Sequence, residues 1–380
     1  MKETVKIIIT GDIHLGGGRV TAYAEQGDVD QLFSEFLPLF QEADLSVTNL
    51  ESPVIDGGSP IEKTGPALKS PVASLGVLKK AGFELVTLAD NHIMDYGEPG
   101  LQSTLGVCKS IGIDTTGAGR NLEKAKTPFV FEKNGISVAI LNIAENEFGT
   151  TQGDEPGCHP LDPVKNFYSI KDAQSKADHV VVIVHGGHEH YELPSPRMQK
   201  TYRFFADAGA SAVIAHHTHC PCGYEIYNGV PICYSLGNLL FDLPEKNKSL
   251  VSPWNEGLIA ELVVSKKNIE ISYTPYIQNF GTIGLRKMSG EERRLFDDKI
   301  SHLNSIIADD EQLKSEFENY CRRSYRMYRG FIEPHSNRLL HALRNRNLAP
   351  SLLSDKKKRL LLNLTRCEAH RDVLIKTLTQ

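Results

Sequence analysis

Six short apolar runs in this chain each end in a residue able to bind a metal. Val5-Lys6-Ile7-Ile8-Ile9-Thr10 opens onto Gly11-Asp12-Ile13-His14, and Leu45-Ser46-Val47-Thr48 opens onto Asn49-Leu50-Glu51. The run at 85–89 leads to Asp90-Asn91-His92, and that at 180–184 to His185. The run at 212–215 leads to His216-His217-Thr218-His219, and that at 232–235 to Gly237-Asn238. Apolar runs of this length between turn residues read as buried strands. Strands that all deliver polar groups at their carboxyl ends describe one shared site, because ligands of layered α/β proteins bind there.

Amphipathic stretches at 31–43, 72–81, 173–177 and 197–208 alternate with the early runs, giving a βα rhythm. From about 211 the runs at 211–215, 231–236, 257–264 and 268–277 follow one another closely, so the second half is β-rich. Two packed sheets flanked by helices accommodate both patterns. After Gly284 the chain turns helical and charged, with helices expected from Gly290, over 309–329 and near 352–378, punctuated by Pro334 and Pro350. The expected division is a catalytic domain over 1–284 and a helical, basic extension over 285–380.

With 380 residues, 40% of them hydrophobic, the chain can bury a sizeable core. It contains no transmembrane segment, since no run of eighteen apolar residues occurs. Lys2-Glu3 passes straight into a strand without a signal-peptide core, so a cytoplasmic location is expected. Seven irregularly spaced cysteines predict free, buried thiols rather than a disulfide framework. Cys220 and Cys222, without a second pair, are weak evidence for zinc and read as buried thiols. The net charge of −5 conceals an asymmetry, because residues 319–380 hold 14 Lys/Arg against 4 Asp/Glu while the remainder is acidic. Leu360-Leu361-Leu362 beside Lys356-Lys357-Lys358-Arg359 predicts an amphipathic helix docking on the acidic domain, a second copy in a homo-oligomer, or a partner enzyme. Nucleic acid ranks last as a partner.

Carboxylate, imidazole and amide oxygen suit hard or borderline divalent ions, and two such ions about 3.5–4 Å apart can clamp a phosphoryl group. Asp12 and His14 share a spacing of two, and His217 and His219 repeat it. Side chains at 217 and 219 of an extended segment point the same way and His216 the opposite way, which disfavours His216 as a ligand. Glu51 offers a carboxylate between two ions, Asn91 a neutral oxygen and His185 another imidazole. His92 is placed to protonate a leaving oxygen.

This order resembles the calcineurin-like metallophosphoesterase superfamily. Asn49-Leu50-Glu51-Ser52-Pro53, Ala89-Asp90-Asn91-His92 with Asp95-Tyr96-Gly97, His185-Gly186-Gly187 with Glu189, His217-Thr218-His219 and Tyr234-Ser235-Leu236-Gly237-Asn238-Leu239 are similar to its bacterial capsule-synthesis (CapA-type) family. The resemblance covers about residues 5–280. It implies a four-layer αββα sandwich and two divalent ions, manganese, iron or zinc. One ion would be held by Asp12, His14, Glu51 and His219, the other by Glu51, Asn91, His185 and His217. His92 would be the general acid, Asp95 its partner, and Lys63 and Lys69 would face an anionic substrate. The implied reaction is hydrolysis of a phosphorylated small molecule or a glycan or polymer intermediate, with metal-bound hydroxide as nucleophile. Amide or γ-glutamyl chemistry on poly-γ-glutamate and a non-catalytic metal-binding scaffold are the alternatives. Three features depart from the pattern. The bridging position is Glu51 in Asn-Leu-Glu rather than Asp, Asp90 adds charge beside the site, and the family's membrane anchor is not expected here.

Overall fold

A computed structural model describes residues 4–242, 252–332, 343, 348 and 354–378. Pro334 and Pro350 lie outside the described residues. Two sheets form the frame. The first runs in the order Leu285–Lys287, Ile269–Gln278, Glu256–Val264, Val5–His14, Leu45–Leu50, Leu85–Thr87, Asp114–Thr116, with Asn238–Phe241 also pairing with Val5–His14. The second runs Tyr224–Tyr227, Val230–Cys233, Ala212–His216, His179–His185, Ile136–Ala144, Phe129–Lys133.

Period-two alternation along the first strand decides how the layers stack. Ile7 and Ile9, with Val47 and Leu85, join the core between the sheets, where Val138, Ile140, Val182 and Ile214 meet them. Ile8 and Val86 point the other way, onto Phe33, Phe40 and Leu78 of the helical layer at 29–41 and 76–81. Tyr202 and Phe205 of helix Pro196–Ala208 and Ile170 of helix Pro163–Gln174 cover the second sheet. The result is the expected four-layer αββα sandwich. Strands Val5–His14, Leu45–Leu50 and Leu85–Thr87 are mutually parallel, as are Ile136–Ala144, His179–His185 and Ala212–His216, so their carboxyl ends converge on one edge.

The expected elements differ in detail. The stretch at 31–43 becomes Val29–Phe33, a 3-10 turn Ser34–Phe36 and Leu37–Gln41, because Ser34 and Pro38 interrupt regular helix. The last expected helix breaks at Cys367 into Asp355–Arg366 and Glu368–Leu378. Strand Leu285–Lys287 lies beyond Gly284 yet completes the first sheet, and the helices begin only at Gly290, where Ser289 and Glu292 form a capping box. Helix Gly97–Ile111 and the hairpin Phe129–Lys133 with Ile136–Ala144 are additions that the apolar-run pattern missed.

The C-terminal helices pack on the rest of the chain. Phe296, Ile300, Phe317, Leu364 and Val373 belong to the same apolar cluster as the second sheet. Arg197, deeply placed between Glu145 and Asp372, ties helix Glu368–Leu378 to the sandwich at 2.6 and 2.7 Å. Among the described residues, no helix is long and apolar enough to cross a membrane.

His159 shows how polar groups are satisfied inside. Its Nδ1 donates to the Asn142 carbonyl at 3.1 Å and its Nε2 accepts from Asn166 at 3.2 Å, the pattern of a neutral ring. Burial holds its pKa down at about 4 from an ordinary 6.5. As pH falls from 6.5 towards 4 the unfolded chain binds a proton that the folded one refuses, so stability falls over that window. His159→Gln is expected to flatten the pH dependence of the unfolding free energy there by up to about 1.4 kcal/mol per pH unit, read from denaturant melts.

Candidate metal centre

Every side chain at the convergent edge is placed by a strand end. Asp12 and His14 are two apart at the end of the first strand, on one face, where the pairing slips register after Ile9 and again after Asp12. Gly11 permits the close pass of the 234–241 segment, since a Cβ there would lie 1.9 Å from the Gly237 carbonyl oxygen. Asp12 donates its backbone N–H to that oxygen at 3.1 Å. Glu51 follows Leu45–Leu50, Asn91 and His92 lie in the turns after Leu85–Thr87, and His185 ends its strand.

Glu51 is the centre of the arrangement. It is fully buried and neither carboxylate oxygen has a hydrogen-bond partner. Its Oε1 lies 3.7 Å from His185 Nε2, 3.7 Å from His219 Nε2 and 4.0 Å from His92 Nε2. Burial, with Asp12 and Asp90 nearby, drives its pKa well above the usual carboxylate range. An unpaired buried carboxylate is strongly destabilising unless a cation meets it.

Two groups of donors share this carboxylate. Asp12, Glu51 and His219 form one, and Glu51, His185 and His217 the other, with ligand atoms within 4.8 Å of one another in each. Each group could hold a metal ion. His14 lies buried with Nδ1 unpartnered. Asn91 Oδ1 lies 3.0 Å from His185 Nε2, which is itself 3.1 Å from His217 Nδ1. Burial lowers His14 to about 4, His185 to about 3 and His219 to about 4, keeping the rings neutral as ligation requires. For Asp12 burial acts upward, but the hydrogen bond and charge of His185 outweigh it and hold the group below the usual range. Orphaned carboxylate oxygens, neutral imidazoles and an amide oxygen fit divalent ions.

The His-x-His pair is not the extended segment that its spacing predicts. Residues 217–220 form bends rather than a strand, and His217 and His219 take positive φ values of 95° and 57°. Backbone held in this region is costly for non-glycine residues and turns the two rings into different donor groups, their centroids 6.1 Å apart. His216 does point away, Nε2 donating to the Thr10 carbonyl at 3.0 Å. His188 also turns outward, to the Ala369 carbonyl at 2.8 Å.

His92 Nδ1 lies 2.7 Å from Asp95 and 3.1 Å from Lys63 Nζ, which also pairs with Asp95. Lys63 is therefore spent on this triad, its side chain only 5% exposed. Lys69 donates to the Asp56 carbonyl at 3.0 Å and lies over the Tyr96 ring. Asp90 caps the turn, its Oδ1 accepting from the N–H groups of His92 and Ile93 at 2.7 Å each.

Asn49 and Asn238 hold ligands in place, a role that the sequence reading did not give them. Asn49 Nδ2 donates to Asp12 Oδ1 at 2.8 Å and reaches His185 Nδ1 at 3.3 Å, while Thr87 fixes its oxygen at 2.9 Å. Asn238 Oδ1 holds His219 Nδ1 at 2.9 Å. Such partners orient ligands. Both asparagines end apolar runs, and that position was the available signal.

Fold and site together define a layered αββα protein with a buried carboxylate shared by two candidate metal-ion groups. The family model for the bacterial capsule synthesis protein PGA_cap matches residues 6–243, and the chain belongs to that family. It is 35% identical over 244 residues to the PGA biosynthesis protein CapA of Bacillus subtilis (strain 168), covering 63% of this chain and 64% of that protein. It is 30% identical over 249 residues to the capsule biosynthesis protein CapA of Bacillus anthracis, covering 63% and 60%. The chain thus spans less than two thirds of the length of these curated relatives. A crystal structure of a hypothetical protein from Thermus thermophilus aligns with a TM-score of 0.45 at 15% identity, over 72% of this chain and 99% of that one.

In metal-free buffer Glu51→Gln is expected to raise stability by about 1–3 kcal/mol, because it replaces a buried, unpaired ionisable carboxylate with a neutral amide. The gain should grow with pH, because a raised pKa makes the ionised form the destabilising one. The same change should weaken manganese binding, and thermal melts in chelator with calorimetric titration check both.

Proposed function

We propose that this chain is a two-metal hydrolase of phosphate esters serving bacterial surface-polymer synthesis. The observation that carries this is the unpaired, buried Glu51 shared by two donor groups beside a histidine that belongs to neither. Asp12, His14, Glu51 and His219 would hold one ion, and Glu51, Asn91, His185 and His217 the other. Ions bound there would polarise the scissile group and lower the pKa of a water near neutral pH.

His92 supplies the proton. Its Nε2 faces the Glu51 carboxylate while Nδ1 is held from behind. Two partners compete for that Nδ1. Asp95 favours a proton on Nδ1, whereas Lys63, a donor only, favours the tautomer with the proton on Nε2. Burial and the Lys63 charge lower the pKa of His92 and Asp95 opposes them, so the ring, once protonated, is a stronger acid towards a departing oxygen. The buried lysine is thus read as a positioning residue rather than a substrate contact.

Amide hydrolysis or transfer at γ-glutamyl bonds is the second reading. The name of the Bacillus subtilis relative refers to PGA biosynthesis, and two-metal sites also activate water for peptide bonds.

His92→Ala is expected to retain its metals and lose about 10²–10⁴-fold in kcat. Mass-spectrometric metal content and turnover of an aryl phosphate monoester, an aryl phosphate diester and a γ-glutamyl anilide, with and without manganese, test the proposal. Metal-dependent turnover of a phosphate ester supports it. Turnover of the anilide alone would establish the second reading, and full metal with none of the three activities would leave a scaffold.

A further inference from the structure

The loop that follows strand Ile136–Ala144 runs beside the metal centre, Glu145 donating its backbone N–H to the His185 carbonyl at 3.0 Å. Two residues on, Glu147 meets the break between the last two helices. Arg366 grips its carbonyl, and Asn146 is bound by Glu368 at 2.9 Å. Against the Glu147 carboxylate stand Cys367 and His370, a Cys-x-x-His spacing that brings both side chains to one side of a helical turn.

The ligand atoms of Glu147, Cys367 and His370 all lie within 4.8 Å of one another, and Cys367 is 1% exposed. Tyr328 fixes the His370 ring by a contact of 2.9 Å to Nδ1, the kind of support that metal-binding histidines receive. Asn363, one turn before Cys367 and 5% exposed, turns its carboxamide to Glu147 at 3.5 Å, yet its Oδ1 is buried without a partner. A thiol hydrogen bond to the carboxylate, at 3.8 Å, accounts for one contact and leaves that oxygen unexplained.

We propose that Glu147, Cys367 and His370 form a zinc site separate from the centre at Glu51, completed by the Asn363 amide oxygen or a water. Sulfur, imidazole and carboxylate together select zinc among common divalent ions. Tetrahedral zinc needs its donors about 3.3–3.8 Å apart, a contraction of about 1 Å that side-chain rotation supplies. Binding releases the thiol proton to water and leaves a thiolate on the metal. The ion would staple the C-terminal helices to the loop behind His185, making the extension a structural part of the active domain.

A cobalt–thiolate band reports this site alone, because the centre at Glu51 has no sulfur ligand. Metal-stripped full-length protein titrated with cobalt is expected to develop a near-ultraviolet cobalt–thiolate band that saturates at one thiolate-bound cobalt per chain and is bleached by added zinc. Cys367→Ser should abolish the band, Glu51→Gln should leave it, and Tyr328→Phe should weaken affinity about 10-fold. His370→Gln guards against a folding artefact, and at unchanged circular dichroism it should weaken cobalt binding at least about 10-fold. No band in the unaltered protein, a band that survives Cys367→Ser, or unchanged affinity in His370→Gln overturns the site.

Discussion

A carboxylate buried without a hydrogen bond is the constraint on which the rest of this structure depends. Glu51 sits where the carboxyl ends of two sheets meet, and its neighbours make sense only around positive charge. Three imidazoles face it and Asp12 lies close by. Desolvation of such a group is costly, and the fold accepts that cost at the one place where six strand ends and turns converge.

Rigid strands set the first donors and strained backbone sets the last. Asp12, His14, Glu51 and His185 leave strand ends whose register is fixed by burial on both faces. His217 and His219 instead depend on two residues held at positive φ, immobilised by Asp12 at the His217 N–H and by Asn238 at the His219 ring. Strain of this kind persists only where surrounding contacts over-determine it, and it is concentrated at functional sites.

The basic extension is less separate than its charge suggests. Its helices complete the apolar cluster of the second sheet, and Arg197 joins Asp372 to Glu145, whose carboxylate also accepts from the Gly187 N–H in the loop after His185. Positive charge drawn from the tail lies against the acidic domain in contacts such as Arg359 with Glu62. The extension and the loop after His185 are therefore held through one network.

Much of the layered fold was legible in the chain itself. Short apolar runs between turn signals fix buried strands, and the polar residue after each run marks a strand end, because both follow from local period and burial. Helix Gly97–Ile111 was hidden by Gly97, Pro99, Gly100 and Gly106, and the hairpin at 129–144 was passed over because it delivers no metal-binding residue. Which imidazole serves which donor group, the capture of Lys63 by Asp95 and His92, and the meeting of Glu147 with Cys367 and His370 were decided only by tertiary structure. Those pairings join residues up to 223 positions apart, and no local period carries information about contacts that arise when separate layers close on one another.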